Sequence, residues 1–537
     1  MCDTDVTDLI APKLMLAFDG LTPPAALLTA LRARPYAGLT LFRARNVRDP
    51  AQTRALTAAL QADVAPHRPL LIATDQEGGQ LVALGDGVTQ FPGNMALGAA
   101  RDADLAFRVG QALGAEMAAL GVNVNYGPVC DVNTNPRNPN VGVRAFSDDP
   151  ALAAELSAAL IGGLQAAGVA ATAKHFPGNG ESDVDPHFGL PALPFARARL
   201  DAVELRPFRA AIAAGARLLM TAHVAAPALT GQPDLPATLS RAVMHNLLRK
   251  ELGYTGLLIS DALDMQAITQ GSGQIVDVLT AVRAGVDVLL LTADAAVAGS
   301  IEAGLRLAQA RGLLANRHLR PAAARVRALK QWLGRQPQPD LSVVGCAAHR
   351  ALEAEAARRA LTLVRDDAGL LPLRPASGAR LAAIMPRPAN LTPADTSAFV
   401  APALAEALRA FHPAVDEYVV SQAPTAQEIA ALREQTAAHD LLVVGTISAS
   451  MQPAQVDLVA ALLATGKPVV TAALRTPYDL AAYPAAATHV CAYSVQPAAL
   501  RALAAALFGR APFTGRLPVS IPDLYLFGHG MVTNAAD

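Results

Sequence analysis

Val169-Ala170-Ala171-Thr172-Ala173-Lys174-His175-Phe176 is the stretch on which the fold turns. Its first five residues are small or β-branched and carry no charge, and it ends on an ammonium, an imidazole and a phenyl ring. A near-continuous apolar run of this length, rather than an alternating one, is what a strand buried on both faces looks like. Runs of the same kind occur at 13–18, 38–42, 70–75, 122–129, 218–224, 257–261 and 287–291, separated by longer Ala/Leu/Arg-rich helical stretches. Eight buried strands interleaved with helices predict a (β/α)8 TIM barrel rather than an open sheet.

Beyond the barrel, Arg335-Gln336-Pro337-Gln338-Pro339-Asp340 is a polar, proline-rich break. The pattern then starts again, with apolar runs at 361–364, 381–385, 417–420, 441–447, 469–474 and 489–493. These predict a second α/β layer domain with a parallel sheet. The expected division is a barrel over 1–335, a linker over 336–345 and the second domain over 346–537.

Composition narrows the function. The chain has 537 residues, 52% of them hydrophobic, and 44 Lys+Arg balance 45 Asp+Glu. No charge excess calls for a nucleic-acid or membrane-surface partner. The charge-free stretches 156–173 and 480–500 are interrupted by Gly, Gln, Ser or Pro, so neither reads as a membrane span. The opening Met1-Cys2-Asp3-Thr4-Asp5 lacks the order of a secretory signal, which leads to an expectation of a cytoplasmic protein. Cys2, Cys130, Cys346 and Cys491 are far apart, without a CxxC pair, which argues against a zinc ribbon or a disulfide scaffold.

In a barrel of this class the active site lies where the strands end. The third run ends at Asp75, in Thr74-Asp75-Gln76-Glu77-Gly78-Gly79. The fourth leads into a loop with Asp131, Asn133, Asn138 and Arg144. The fifth ends at Lys174-His175, the sixth at His223 and the seventh at Asp261. Lysine is scarce in this chain, so Lys174 inside an Ala/Val run stands out; with His175 it suits hydrogen bonding to sugar hydroxyls. Asp261 fits a helix N-cap before an apparent helix at 262–267, and equally a nucleophilic carboxylate at the mouth. The loop after the fifth run, 177–191, is long and punctuated by Gly and Pro, as functional loops are. In it Asp185 and His187 are two apart, so an extended backbone puts both on one face, where the carboxylate can orient the imidazole. A metal reading of His175, His187 and His223 is poor, because Lys174 would repel a divalent cation. Lys467, and the thiols of Cys130 and Cys491, read as structural.

The order and spacing of 74–79, 123–131, Arg144-Ala145-Phe146, 174–191, Thr221-Ala222-His223 and 260–263 resemble glycoside hydrolase family 3, and most of all its bacterial β-N-acetylglucosaminidase branch. The second half is similar to the α/β sandwich, a flavodoxin-like layered domain, of two-domain members. The resemblance implies a retaining exo-β-N-acetylglucosaminidase without metal or other cofactor, acting on a small carbohydrate substrate. It makes Asp261 the nucleophile and Asp185 with His187 the acid/base dyad. Asp75, Arg144, Lys174 and His175 would hold the terminal sugar. A β-glycoside phosphorylase, a β-glucosidase or β-xylosidase, and a non-catalytic sugar-binding barrel are the alternatives. The sequence departs from the family at Asn179 (usually His), Pro186 (usually Ser or Thr) and Gln80 (often Arg). These changes bear on loop stiffness and subsite lining, and so on the substrate more than the reaction.

Overall fold

The computed structural model describes residues 8–62 and 69–534. Met1–Asp5, read above for a signal, lies outside the described residues, as does Cys2. Eight strands close into a parallel barrel: β1 (Leu14–Leu16), β2 (Gly38–Thr40), β3 (Leu71–Thr74), β4 (Val124–Asn125), β5 (Ala170–Phe176), β6 (Leu218–Thr221), β7 (Leu257–Ala262) and β8 (Val288–Leu290). Seven lie within their apolar runs, and β7 reaches one residue past its run, to Ala262. Every residue of β5 is buried, as the continuous run requires. Several intervening helices open on an aspartate whose side chain accepts from the first-turn N–H groups: Asp49, Asp102, Asp149 and Asp294. Gly38 lets β2 approach β3, since a Cβ there would lie 1.9 Å from the Leu71 carbonyl oxygen.

The second domain is a six-stranded sheet of β9 (Thr362–Asp366), β10 (Leu381–Pro386), β11 (Val415–Val420), β12 (Leu441–Thr446), β13 (Val469–Ala473) and β14 (Thr488–Cys491), in the order β9-β14-β13-β12-β10-β11. The sheet is mixed, not purely parallel: β9 pairs antiparallel with β14. An apolar run looks the same in either direction, so its sequence carries no such information. One hydrophobic cluster continues from Met95, Ala99 and Val143 of the barrel into Val364, Tyr493 and Leu517 of the second domain. No helix among the described residues is long and apolar enough to cross a membrane.

Candidate active site

The residues singled out at the strand ends come together at one mouth. Leaving β3, a short hairpin (Gln76–Gly78 with Leu81–Val82) carries Glu77 inward. Lys174, on β5, bridges Asp75 at 2.5 Å and Glu77 at 2.6 Å. Arg144 meets both Glu77 oxygens at 2.9 Å and donates to Asn140 Oδ1 at 2.7 Å. Asn140 Nδ2 donates to Asp185 at 3.3 Å, and Asp185 Oδ1 lies 2.6 Å from His187 Nδ1. One connected network therefore runs from Asp75 to His187. Its interior members are buried, whereas the side chains of Asp75 and His187 keep 24% and 22% exposure, so the network opens to a ligand at its two ends.

Charge inside the network is compensated, as burial demands. Burial works against the Glu77 carboxylate, but Arg144 and Lys174 overcome it and hold its pKa at about 2. Burial also works against the Lys174 ammonium, and Asp75 and Glu77 reverse this, so it stays charged. His175 pairs with a different carboxylate: its Nδ1 lies 2.7 Å from Asp131, whose other oxygen accepts from the Asn179 N–H at 2.8 Å.

The loop after β5 is tied down at its start. Asn138 donates to the Asn179 carbonyl, and a Cβ at Gly180 would strike the Val132 carbonyl oxygen at 1.9 Å. At the far end the Asp185 carbonyl accepts from the N–H groups of Phe188 and Gly189, a turn that folds the His187 N–H back onto the Asp185 carboxylate. Burial pulls the His187 imidazole down, but the hydrogen bond to Asp185, with the charges of Asp185 and Asp261, raises it above its ordinary value.

Asp261 is the next-to-last residue of β7, 8% exposed, with one oxygen accepting from the Ala262 N–H at 2.8 Å. No helix follows at 262–267; the chain turns there, and the next α-helix is Gln274–Ala284. The helix-cap reading of Asp261 is thereby overturned, since Ala262–Ala267 has helical composition without helical backbone. Burial pushes its carboxyl up, and the imidazoles of His175 and His223, the Ala262 N–H and His187 outweigh it, leaving Asp261 ionised. His223 is buried, with Nδ1 on Thr238 and Nε2 on the Ala262 carbonyl, so it buttresses the β7 end and has no nitrogen left for a metal.

Residue reading missed Glu77 and Asn140 as partners, although Asp75-x-Glu77 has the two-residue spacing that puts both on one side of an extended segment. It also missed the second domain's reach. Thr396 accepts from the Val82 N–H at 2.9 Å and donates to the Gln80 carbonyl at 3.0 Å, while Gln496 donates to the Gly79 carbonyl at 2.9 Å. Asn133, in the loop after β4, donates to Tyr478. The thiols of Cys130 and Cys491 are buried, and burial pushes Cys130 up to about 12. Lys467 caps the carbonyls of Ala437 and His439.

Comparison with known proteins agrees with this architecture. Residues 3–329 match the glycosyl hydrolase family 3 N terminal domain, and 361–526 match its C-terminal domain. A beta-hexosaminidase A of Pseudoalteromonas piscicida is 38% identical over 376 residues, 65% of this chain; the alignment spans only 62% of that relative. A beta-N-acetylglucosaminidase/beta-glucosidase of Cellulomonas fimi is 30% identical over 517 residues, covering 90% of this chain and 88% of the relative. Among solved structures, a glycoside hydrolase family 3 beta-N-acetylglucosaminidase from Paenibacillus sp. str. FPU-7 superposes with a TM-score of 0.89 at 35% identity, covering 95% of this chain and 98% of the other. With the N-terminal match alone spanning more than half of its residues, the chain belongs to glycosyl hydrolase family 3.

Proposed function

We propose that this protein is a retaining exo-β-N-acetylglucosaminidase that releases terminal β-linked N-acetylglucosamine through a covalent glycosyl-enzyme. The observation that carries the reading is the Asp185–His187 pair, its imidazole raised toward the charged form, in the field of an ionised Asp261. In the first step Asp261 attacks the anomeric carbon while His187 gives its Nε2 proton to the departing glycosidic oxygen. The bond to the aglycone breaks as the ester to Asp261 forms. In the second step neutral His187 takes a proton from water, the water oxygen bonds to the anomeric carbon, and the Asp261 carboxylate is released. Asp185 keeps the Nδ1 proton in place throughout, fixing the tautomer that presents Nε2 to the substrate. Asp75, Lys174, Arg144 and His175 hold the hydroxyls of the terminal sugar.

In this reading residues 1–335 supply every reacting group, 336–345 connect, and 346–537 support the mouth. The beta-hexosaminidase and beta-N-acetylglucosaminidase names of the compared proteins, one of them also named a beta-glucosidase, favour the substrate, and the dyad favours the acid/base assignment. A panel of aryl β-glycosides tests it. The N-acetylglucosaminide should be turned over well ahead of the glucoside, xyloside and galactoside, with no loss in EDTA. Preference for the glucoside would contradict the assignment. An imidazole in place of a second carboxylate does not repel an anionic acceptor, so the assay is run with and without inorganic phosphate. A sugar phosphate as product would make the enzyme a phosphorylase.

A further inference from the structure

At the end of the barrel where the strands begin, opposite the mouth, lies a second cavity of about 640 Å³. Its walls come from the π-helix Ala242–Glu251, the helix Gln274–Ala284, the turn before β8 and the helix Asn316–Leu333. Five arginines line it against one carboxylate, Asp287. That carboxylate is already saturated, with Arg249 at 2.7 Å on one oxygen and Arg325 at 2.8 Å on the other. The remaining three guanidiniums, Arg241, Arg283 and Arg317, make no ion pair or side-chain hydrogen bond among the described residues. His318 also lines the cavity, and its Nδ1 is buried without a hydrogen-bond partner. Burial, together with arginines of the same cavity, also holds the imidazoles of His245 and His318 below their ordinary range.

Unpaired like charges that line one concavity, although each is exposed to solvent, give it a positive potential that attracts an anion. The guanidinium fork matches a phosphate oxygen pair, and several forks around one hollow match a ligand with more than one negative charge. The volume suits a single small molecule. No Phe, Tyr or Trp is among the lining residues, so nothing there would stack on a nucleobase. We propose that this cavity is a second ligand site, separate from the active site, that binds a compact anion carrying at least two phosphate or phosphate-ester charges.

Inorganic pyrophosphate is the probe, titrated calorimetrically into the full-length protein at about 0.15 M salt, where exposed charges are largely screened. Inorganic phosphate, a sugar phosphate and sulfate serve as comparison arms and distinguish a free polyphosphate from a phosphorylated sugar as the source. The wild type should bind pyrophosphate or the sugar phosphate saturably and more tightly than sulfate. The double variant Arg283→Gln, Arg317→Gln removes exposed side chains that have no partner, so the fold should hold and glycosidase activity without the probe should be unchanged. Binding to it should weaken at least about tenfold, the loss expected when charge-assisted hydrogen bonds are removed. Equal binding by the double variant, or no saturable binding below about 10 mM, overturns the proposal. So does failure of every small anion alongside tight, variant-sensitive binding of a DNA duplex, which would mark the arginines as a nucleic-acid surface.

Discussion

His187 and Asp261 titrate in opposite directions from their ordinary values, and the sense of each shift sets a pH profile. A general acid works while protonated, so raising the His187 pKa above the usual value of about 6.5 extends its competence upward. A nucleophilic carboxylate works while ionised, so lowering the Asp261 pKa extends its competence downward. The profile of kcat/KM should therefore be a broad bell, its acid limb set by Asp261 and its basic limb by His187. Asp185→Asn removes the carboxylate charge that raises His187 and leaves at most a neutral hydrogen bond in its place, so the basic limb should move to lower pH while the acid limb stays. An unmoved basic limb would mean that another group supplies the proton. Asp185 and His187 were legible in the sequence because two residues in sequence are one face in an extended segment. Asn140, which joins this pair to Arg144, was not: nothing in its neighbourhood says that its side chain reaches across to position 185.

At the scale of elements, the strap between Thr396 and the Gln76–Val82 hairpin gives the second domain a hand in the active site. Thr396→Val keeps the shape but leaves the buried Val82 N–H without an acceptor, a cost of about 1–3 kcal/mol. Because that hairpin carries Glu77, and Glu77 holds Lys174 and Arg144, the variant should lose about tenfold in kcat/KM, equivalent to about 1.4 kcal/mol. A lower melting temperature with unchanged kinetics would reduce the second domain to passive support. All eight barrel strands were legible as apolar runs, because strands covered on both faces leave no polar alternation. In the second sheet the same holds for the interior strands, whereas the edge strand β11, Val415-Asp416-Glu417-Tyr418-Val419-Val420, was legible only by its apolar end. The direction of β9 and the strap were not. An apolar run has no polarity, and the Gln80–Thr396 contact joins positions 316 residues apart. Ala262–Ala267 misled for the opposite reason: its local composition favours a helix, but its carbonyls and N–H groups are drawn into the loop at the mouth, where the Ala267 N–H donates to Pro186.

Across the whole molecule, the two halves share an apolar cluster and a set of ion pairs. Arg108 pairs with Glu355, Arg359 with Asp102, and the buried Glu116 accepts from Thr89, the Gly345 N–H and His349. A fragment 1–335 would expose Met95, Ala99 and Val143 and leave Glu116 short of two partners. It should show barrel-like circular dichroism with a lowered melting temperature and weak but measurable activity. Full activity would show that the strap is dispensable. A folded fragment with no activity at all would place a reacting group beyond residue 335, outside the barrel. The central claim is that Asp261 forms the bond to the sugar, and peptide mapping of a trapped intermediate tests it most directly. His187→Ala, given an aryl β-N-acetylglucosaminide whose leaving group departs unaided, should release a burst of the phenol and accumulate the glycosyl-enzyme, with azide restoring turnover. Digestion at that point should locate the sugar on Asp261, and Asp261→Ala should give neither burst nor adduct. A sugar found on another carboxylate, or a burst that survives Asp261→Ala, would contradict the assignment of Asp261 as nucleophile.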